Sequence, residues 1–445
     1  MSVLNKTLPY LGYVALIFTG MWSFSTSAGE IDTIESVVKE NIDESQSYNY
    51  EFSTLLEIEW AYGTTRGSSQ KLEFIFDPEV NIELHNNDKV TVIGRLRVDA
   101  EDKLEPSGTS DLDLRELYYE TELGQTYFTV GKQQIVWGKA DGLKVLDLVN
   151  PQDFREFILD DFDDSRIPLW TINAEIQVSD SVLQLIWVPD QTYHNLAETN
   201  SLYAFTSPTL VPVVPSGVSV DLRPVEKPAR VIKDSDYGIR LSSFIGGWDV
   251  SLNYLYHYYD TPVLYRSLTL SPQPMVTVTP RYERSHLLGS AFSNAFGDFV
   301  LRGEIGYSTD RYFLPDDVND NVIKSDELAY VFGLDWSGLE DTFFSVQLFQ
   351  SRLIDDQSGL IRDKVDTTMT LLARRNFMND TLVAELMLLH NMNNDDGLVR
   401  PKITYDWNDN IKAWVGADIF YGDEKGLFGQ FDSNDRLTMG VQWGL

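Results

Sequence analysis

The sequence contains no cysteine among its 445 residues, and it contains only five histidines. The absence of cysteine excludes disulfide bridges and thiolate metal sites. The histidines are far apart, and no two of them have the spacing of paired zinc ligands. The sequence therefore predicts no metal site built on these residues and no cofactor.

Basic residues are also scarce. There are 35 Lys and Arg residues against 68 Asp and Glu residues, which gives a formal net charge of −33. Binding to nucleic acid needs clustered cations, so this charge argues against a nucleic-acid partner. Beyond the N-terminus the chain also lacks any apolar run of about 18 residues, the length that a membrane-spanning helix requires.

The first 28 residues have the pattern of a signal peptide. Lys6 precedes an apolar stretch at 11–18, and the small residues Thr26 and Ala28 precede the expected cleavage site. An uncleaved membrane anchor is the alternative interpretation. We therefore expect an exported protein of a Gram-negative bacterium, in which residues 29–46 form a short periplasmic segment.

From residue 48 onward, apolar and polar side chains alternate over long stretches. In "YNYEFSTLLEIEWAY", Phe52, Ile58 and Trp60 fall on one face, and Glu51 and Glu57 fall on the other. A period of two predicts a β-strand. These stretches exceed the usual strand length of about five or six residues. The same alternation recurs to the last stretch, "LTMGVQWGL".

The connections between these stretches alternate between short and long, which is typical of a transmembrane β-barrel. We therefore predict an all-β, antiparallel outer-membrane barrel over 47–445. It has about 18 strands, or about 16 as the alternative, since barrels of this class carry even numbers. Segment 274–296 counts as one strand here. A soluble propeller is disfavoured because no blade repeat of about 40 residues occurs.

Two long connections stand apart from the others, at 138–167 and 190–235. The first contains many apolar residues, which an exposed loop would not carry. We expect it to fold into the barrel as an inward loop, with a short helix after Pro151. The second is rich in proline and apolar residues, and it is expected to form a lid or a second inward segment.

The acidic run "DDFDD" at 160–164 has three interpretations: a solvated loop, a calcium site outside the EF-hand class, or an inward acidic loop paired with arginines. The third is favoured, because clustered carboxylates repel each other unless they are neutralised. The EF-hand pattern itself is absent.

The stretch "GKQQIVWGKADG" at 131–142 is not a phosphate-binding loop, because Gln133 and Ala140 occupy positions that need glycine and Ser or Thr. Gly131 is interpreted as a β-bulge. No G-x-S-x-G motif is present either, so no enzyme is predicted, although a Ser–His or Asp–His pair at the rim remains an alternative.

Charged residues on the polar strand faces are expected to line the lumen, because arginines facing lipid would each cost about 2–4 kcal/mol. Whether these charges line an open pore or pair across it stays open. Together with the residues around the two inward segments, the candidates for the pore and its constriction are Lys132, Gln134, Arg155, Asp160, Asp161, Asp163, Asp164, Arg166, Arg95, Arg97, Arg240, Arg302, Glu304, Arg400 and Lys402.

The block "VGKQQIVWGKADG…DLVNPQDFRE…DSRIPLWTINAEI" resembles a block in large outer-membrane barrels of the alginate-export and phosphate-selective porin group. It is most similar to an uncharacterised family encoded beside RND-type exporters. The matching positions are Gly131, Gln133, Trp137, Gly138, Asn150, Pro151, Arg166, Pro168, Leu169 and Trp170.

This resemblance implies an outer-membrane channel or export component that passes small or hydrophobic solutes, with a periplasmic or RND-type partner. A general or ion-selective porin is the first alternative, and a surface enzyme or adhesin is the second. The other expected partners are membrane lipid, lipopolysaccharide and the barrel assembly machinery.

Overall fold

The structure is a computed structural model that describes residues 49–84, 87–140, 142–214, 217–270, 272–317, 320–355 and 358–445. The expected signal peptide and the segment 29–46 lie outside these residues. Eighteen strands form one antiparallel sheet, and its first and last strands pair with each other, so the sheet closes into a barrel. The predicted fold class and the count of 18 strands are confirmed.

Each barrel strand pairs with the strands before and after it along the chain. The barrel strands are β1 (Asn49–Gly63), β2 (Ser68–Glu83), β3 (Lys89–Asp99), β4 (Ser110–Leu123), β5 (Thr126–Gln133), β6 (Leu169–Val178), β7 (Ser181–Val188), β8 (Asp236–Ile245), β9 (Trp248–Tyr258), β10 (Arg284–Phe296), β11 (Phe299–Phe313), β12 (Ile323–Leu339), β13 (Thr342–Leu353), β14 (Val365–Phe377), β15 (Leu382–Asn391), β16 (Asp396–Asn408), β17 (Ile411–Tyr421) and β18 (Arg436–Gly444).

The two ends of the barrel differ in their connections. One end, called the turn end here, carries the start of β1, the end of β18 and tight turns such as 124–125, 179–180 and 246–247. The other end, called the loop end, carries the long connections. This arrangement matches the alternation of short and long connections in the sequence.

The strands face two ways because successive side chains of a strand point to opposite faces. In β18, Leu437, Met439 and Val441 are exposed on the outward face, while Arg436 and Gly440 are buried inside the barrel. On β18 the outward face is therefore apolar and the inward face is polar. This is the pattern of a barrel whose outside meets hydrocarbon.

Segment 274–296 is not one barrel strand, which corrects the prediction from the sequence. Residues 275–281 instead join a small separate sheet with 219–222 and 263–269, built from the connections 189–235 and 259–283. Only β10 belongs to the barrel. The strand count is unaffected because the additional strand lies outside the barrel wall.

Gly131 does not form a bulge, which corrects a second prediction. The ladder runs without a register shift through Gly131, which pairs with Tyr118 on one side and Thr171 on the other. Its φ of 143° is in the region that favours glycine. A Cβ atom there would lie 2.1 Å from the carbonyl oxygen of Leu117, so the close approach of β4 requires glycine.

The predicted helix after Pro151 is also wrong. Residues 153–154 form a short parallel pair with 195–196, and the helical turn lies later, at Phe162–Ser165. Within the described ranges, none of the helices has the length and hydropathy needed to cross a membrane.

Candidate functional site: a passage beside an inward segment

Segment 134–168 leaves the wall after β5, crosses the interior and returns to the wall at β6. Its first half, 134–149, packs against the inward faces of β6 to β13 and forms one apolar cluster with them. The buried members of this cluster are Ile135, Trp137, Val145, Leu146, Val149, Leu169, Ile186, Val188, Leu255, Leu287, Ala291, Val331 and Phe349.

The wall has glycines at the points where this half makes its closest approach. Leu146 is fully buried, and its side chain occupies the space that a Cβ atom of Gly289 would need, at 2.2 Å. A Cβ atom of Gly306 would also lie within 3.3 Å of Leu146. The indole ring of Trp137 likewise occupies space that a Cβ atom of Gly238 would need, at 2.6 Å. The wall is therefore shaped to receive this half of the segment.

A wall carboxylate also holds the backbone of this half. Glu304 of β11 accepts hydrogen bonds from the backbone N–H groups of Lys139, Ala140 (2.8 Å) and Leu146 (3.1 Å). Next to it, Arg302 donates to the carbonyl oxygen of Lys139 at 2.5 Å. Both residues were predicted to line the pore, and in the structure they anchor the segment instead.

The second half of the segment, 151–168, is held by charge. Glu156 is 1% exposed and lies 2.7 Å from Lys71, 3.1 Å from Arg155 and 2.8 Å from Arg436. Arg155 in turn pairs with Glu73 at 2.7 Å. Lys71 and Glu73 belong to β2, Arg436 belongs to β18, and Arg155 and Glu156 belong to the segment. This buried network therefore fastens the segment to the wall.

Further contacts extend the network around the wall. Arg95 of β3 pairs with Asp164 at 2.7 Å, and Arg97 lies 3.4 Å from Asp153. On the opposite side, Arg400 of β16 donates to the carbonyl oxygen of Leu159 at 2.7 Å. The segment is thus bonded to strands on both sides of the seam between β1 and β18.

The acidic run is mostly paired with arginines, as the favoured interpretation expected. Asp163 is bonded to Arg166 at 2.6 Å, although the Asp163 side chain is 91% exposed. Asp160 lies 3.9 Å from Arg155, and Asp161 is exposed to the cavity. Among the described residues, no group of three or more acidic or histidine side chains is placed to hold a metal ion.

The surroundings of two carboxyl groups of the segment shift their pKa values in opposite directions. Burial, together with the nearby carboxylate of Glu156, raises the pKa of Asp160 to about 7. The cations Lys71, Arg155 and Arg436 hold the pKa of Glu156 well below its usual range in spite of its burial. Asp160 is therefore the group of this network that titrates near neutral pH.

The other half of the interior is not filled. A cavity of about 600 Å³ lies between the segment and the inward faces of β1 to β3 and β15 to β18. At the loop end it is lined by Tyr259 and Asp260, and at the turn end it is lined by Lys412 and Gln442. Since β17 begins at residue 411 and β18 ends at 444, the cavity extends along most of the height of the barrel wall, and it is called the passage below.

Aromatic side chains gather beside this passage at the loop end. Phe157 of the segment contacts Phe428 and Phe431 of the connection 422–435, with ring centroids 5.8 and 4.9 Å apart. Tyr203 of the connection 189–235 joins them, 5.5 Å from Phe431. The long connection 189–235 therefore covers part of the loop end, in addition to forming one strand of the separate sheet.

Not every predicted pore residue lies in the passage. Lys132 pairs across the sheet with Trp170, shares the outward face of Val130 and forms an ion pair with Asp113 at 3.0 Å. Its assignment to the lumen is corrected, because the ladder continues without the bulge that would have turned it inward. Gln134 bonds Glu116 at 2.9 Å.

Three more of the residues that were predicted to line the pore lie in three different parts of the interior. Arg166 is bonded to Asp147 at 2.9 Å, within the segment. Arg240 of β8 donates to the carbonyl oxygen of Val136 at 3.2 Å, on the filled side. Lys402 lines the passage. The residues that sequence reasoning missed are Lys71, Glu73, Glu156, Arg436 and Trp414.

For the wall residues among these, a signal was present in the sequence. Lys71 and Glu73 alternate with outward Leu72 and Phe74, so they share an inward face. No comparable pattern marks Glu156, because residues 151–161 have no regular period.

Residues 46–332 match the model of a family described as "Protein of unknown function (DUF1302)". The chain belongs to this family. The DUF1302 match covers the inward segment and the first eleven barrel strands. It confirms neither the alginate-export and phosphate-selective porin group nor a link to RND-type exporters. No curated protein matches the sequence.

The DUF1302 barrel is similar in fold to solved outer-membrane proteins. The outer membrane protein OpdK from Pseudomonas aeruginosa shares 10% identity, with 89% of this chain and 99% of that chain covered and a TM-score of 0.53. A BenF-like porin from Pseudomonas fluorescens Pf-5 shares 10% identity, with 89% and 98% covered and a TM-score of 0.54. At such identity the likeness establishes the barrel fold only.

Proposed function

We propose that this protein is a porin-type channel of the bacterial outer membrane, through which small amphipathic solutes pass beside the inward segment. The observation that carries the proposal is the cavity that extends from Tyr259 and Asp260 at the loop end to Lys412 and Gln442 at the turn end. A barrel whose interior was packed throughout would have no such passage.

The chemistry of the lining supports amphipathic solutes. On the wall side the passage is lined by charged groups, such as Glu59, Lys71 and Arg400. On the segment side it is lined by apolar groups, such as Leu148 and Ile158, and by charged groups, such as Asp161. A solute with polar and apolar parts would find groups of both kinds along the passage.

The outer-membrane location rests on the outward faces of the strands. Leu437, Met439 and Val441 of β18 and Ile403 of β16 are exposed apolar groups on the outside of a closed barrel. Exposed apolar bands of this kind are stable in a lipid bilayer and costly in water. The solved structures of similar fold are themselves described as outer-membrane proteins or porins.

Conductance measurement in planar bilayers tests the channel. The purified barrel should produce discrete conductance steps, and Thr438→Trp should lower them because Thr438 lines the passage. Leu437→Trp is the matched control, because the adjacent Leu437 faces outward. A barrel that inserts without conductance, or equal effects of the two substitutions, would overturn the proposal.

The other candidate functions have less support. Among the described residues, no histidine side chain bonds a serine hydroxyl or a carboxylate. His194 accepts from the backbone N–H of Gln152, and His286 and His390 are bonded to tyrosines. Hydrolase assays on the purified barrel test the enzyme alternative. Partnership with an RND-type exporter is a separate proposal, and co-purification from the native host tests it.

A further inference from the structure

Most cations that line the passage are already paired. Lys71, Arg95, Arg155, Arg400 and Arg436 each form an ion pair with a carboxylate at 2.8 Å or less. The paired carboxylates, which fasten the segment and stiffen the wall, neutralise the charge of these cations. They therefore attract a passing anionic solute only weakly. The cations that remain available decide what the passage can bind.

Two lining lysines, Lys402 and Lys412, differ from the others. Neither forms an ion pair within 4 Å in the part of the chain that the structure describes. They flank one aromatic residue, Trp414 of β17. Lys412 comes two positions before it on the same strand, and Lys402 of β16 is the register partner of Gly416, two positions after it.

Trp414 lies flat against the wall. A Cβ atom on Gly440, its partner on β18, would lie 2.2 Å from the indole ring, so the ring occupies the space above that glycine. One face of the ring is thus supported by the wall. The residue lines the cavity, and its indole N–H has no hydrogen bond among the described residues.

We infer that Trp414, Lys402 and Lys412 form a binding subsite for an anion with a flat apolar body, near the turn end of the passage. The flat body would stack on the indole, and the anionic group would lie between the two ammonium groups. The Nζ atom of Lys402 lies over the indole ring, 5.2 Å from its centre, so the ammonium group and the ring lie within reach of one small molecule.

Nearby carboxylates keep this subsite weak. Glu385 is the register partner of Lys402, and Asp406 is the register partner of Lys412. Each carboxylate competes with a bound anion for its lysine. A channel needs such weak sites, because a solute must bind well enough to enter and loosely enough to leave.

This inference rests on the proposed channel function, and block of single-channel current tests it. The probe is 2-naphthalenesulfonate, an anion at every working pH with a flat apolar body. We expect concentration-dependent, short-lived closures of the wild-type channel. Methanesulfonate, which lacks the body, and 1-naphthylmethylammonium, which reverses the charge, should block at least about fivefold more weakly.

Substitutions locate the site. Trp414→Leu, Lys402→Gln and Lys412→Gln should each weaken the block about fivefold, since each removes one stacking or charge contact. Trp407→Leu and Lys425→Gln are the matched controls, because both residues are exposed and neither lines the passage. The controls should leave the block unchanged.

The outcomes separate the two ideas. A barrel without any conductance overturns the channel itself. A conducting barrel that the three probes block equally, or that Trp414→Leu leaves as sensitive as the wild type, overturns the subsite and leaves the channel standing.

Discussion

Replacing Glu156 by Gln should release the charged half of the inward segment. The substitution preserves size and removes one charge, so Lys71, Arg155 and Arg436 lose the carboxylate that they share at 2.7–3.1 Å. Removing one partner of a buried ion pair costs about 3–5 kcal/mol, because it leaves uncompensated buried charge. The barrel ladder does not use Glu156, so the cost falls on docking of residues 151–168.

The absence of cysteine provides a sensitive assay for this release. Leu159→Cys places a single thiol next to the network, at a position that is 5% exposed. In that background, a loss of 3 kcal/mol in docking raises the open population about a hundredfold. The labelling rate with a small thiol reagent should rise by a similar factor when Glu156→Gln is added.

Asp163→Asn is the matched control on the same segment. The Asp163 side chain is 91% exposed, and its one ion pair among the described residues is with Arg166. An exposed pair contributes about 0–1 kcal/mol, so this substitution should change labelling about fivefold at most. If Glu156→Gln labels no faster than Asp163→Asn, the network does not hold the segment and the reasoning is refuted.

Four further predictions concern the barrel wall, the inward segment and pH. Replacing 134–168 by an Asn-Gly turn should preserve the barrel, since Gln133 and Leu169 are register partners, and should raise conductance; unchanged conductance would show that the segment does not narrow the channel. Gly289→Leu should displace Leu146 and raise thiol labelling at a cysteine placed in 143–148, whereas the same change at outward Ser290 should not. Removing the residues after Thr438 deletes most of β18, which closes the barrel against β1, so heat-modifiable gel migration should be lost. Asp160 holds a proton to about pH 7 when docked but only to about pH 4 when released, so docking should weaken as pH rises between these values. Labelling of Leu159→Cys, relative to unfolded protein, should thus be faster at pH 8 than at pH 5, and Asp160→Asn should remove the difference; faster labelling at pH 5 would contradict this.

The barrel wall could be predicted because its pattern is local. In 437–445 the alternation assigns Leu437 and Val441 to one face and Gly440 to the other, and the structure agrees. The same rule places Lys71 and Glu73 inward. It failed at Lys132 only because Gly131 was interpreted as a bulge, although this glycine serves the close approach of β4 at Leu117.

The partners within the lumen could not be predicted in the same way. Alternation with a period of two indicates which face of the sheet a residue occupies. It does not indicate the height of that residue along the barrel axis or its direction around the barrel. Glu156 meets Arg436 across 280 positions of sequence. Such a contact depends on closure of the whole sheet, and no local sequence pattern near either residue indicates it. The acidic run could be expected to pair with arginines, but Arg95 could not be named as its partner.

The two halves of the inward segment correspond to the two halves of the wall. Residues 143–149, "LKVLDLV", are mainly apolar, and they dock where the wall offers Gly289, Gly306 and apolar groups. Residues 153–164 are rich in charged and aromatic groups, and they dock where the wall offers Lys71, Glu73 and Arg436. An apolar surface without gaps excludes water, whereas charged groups that are costly to bury favour a water-filled space beside them. The open passage is therefore expected on the charged side, and that is where the cavity lies.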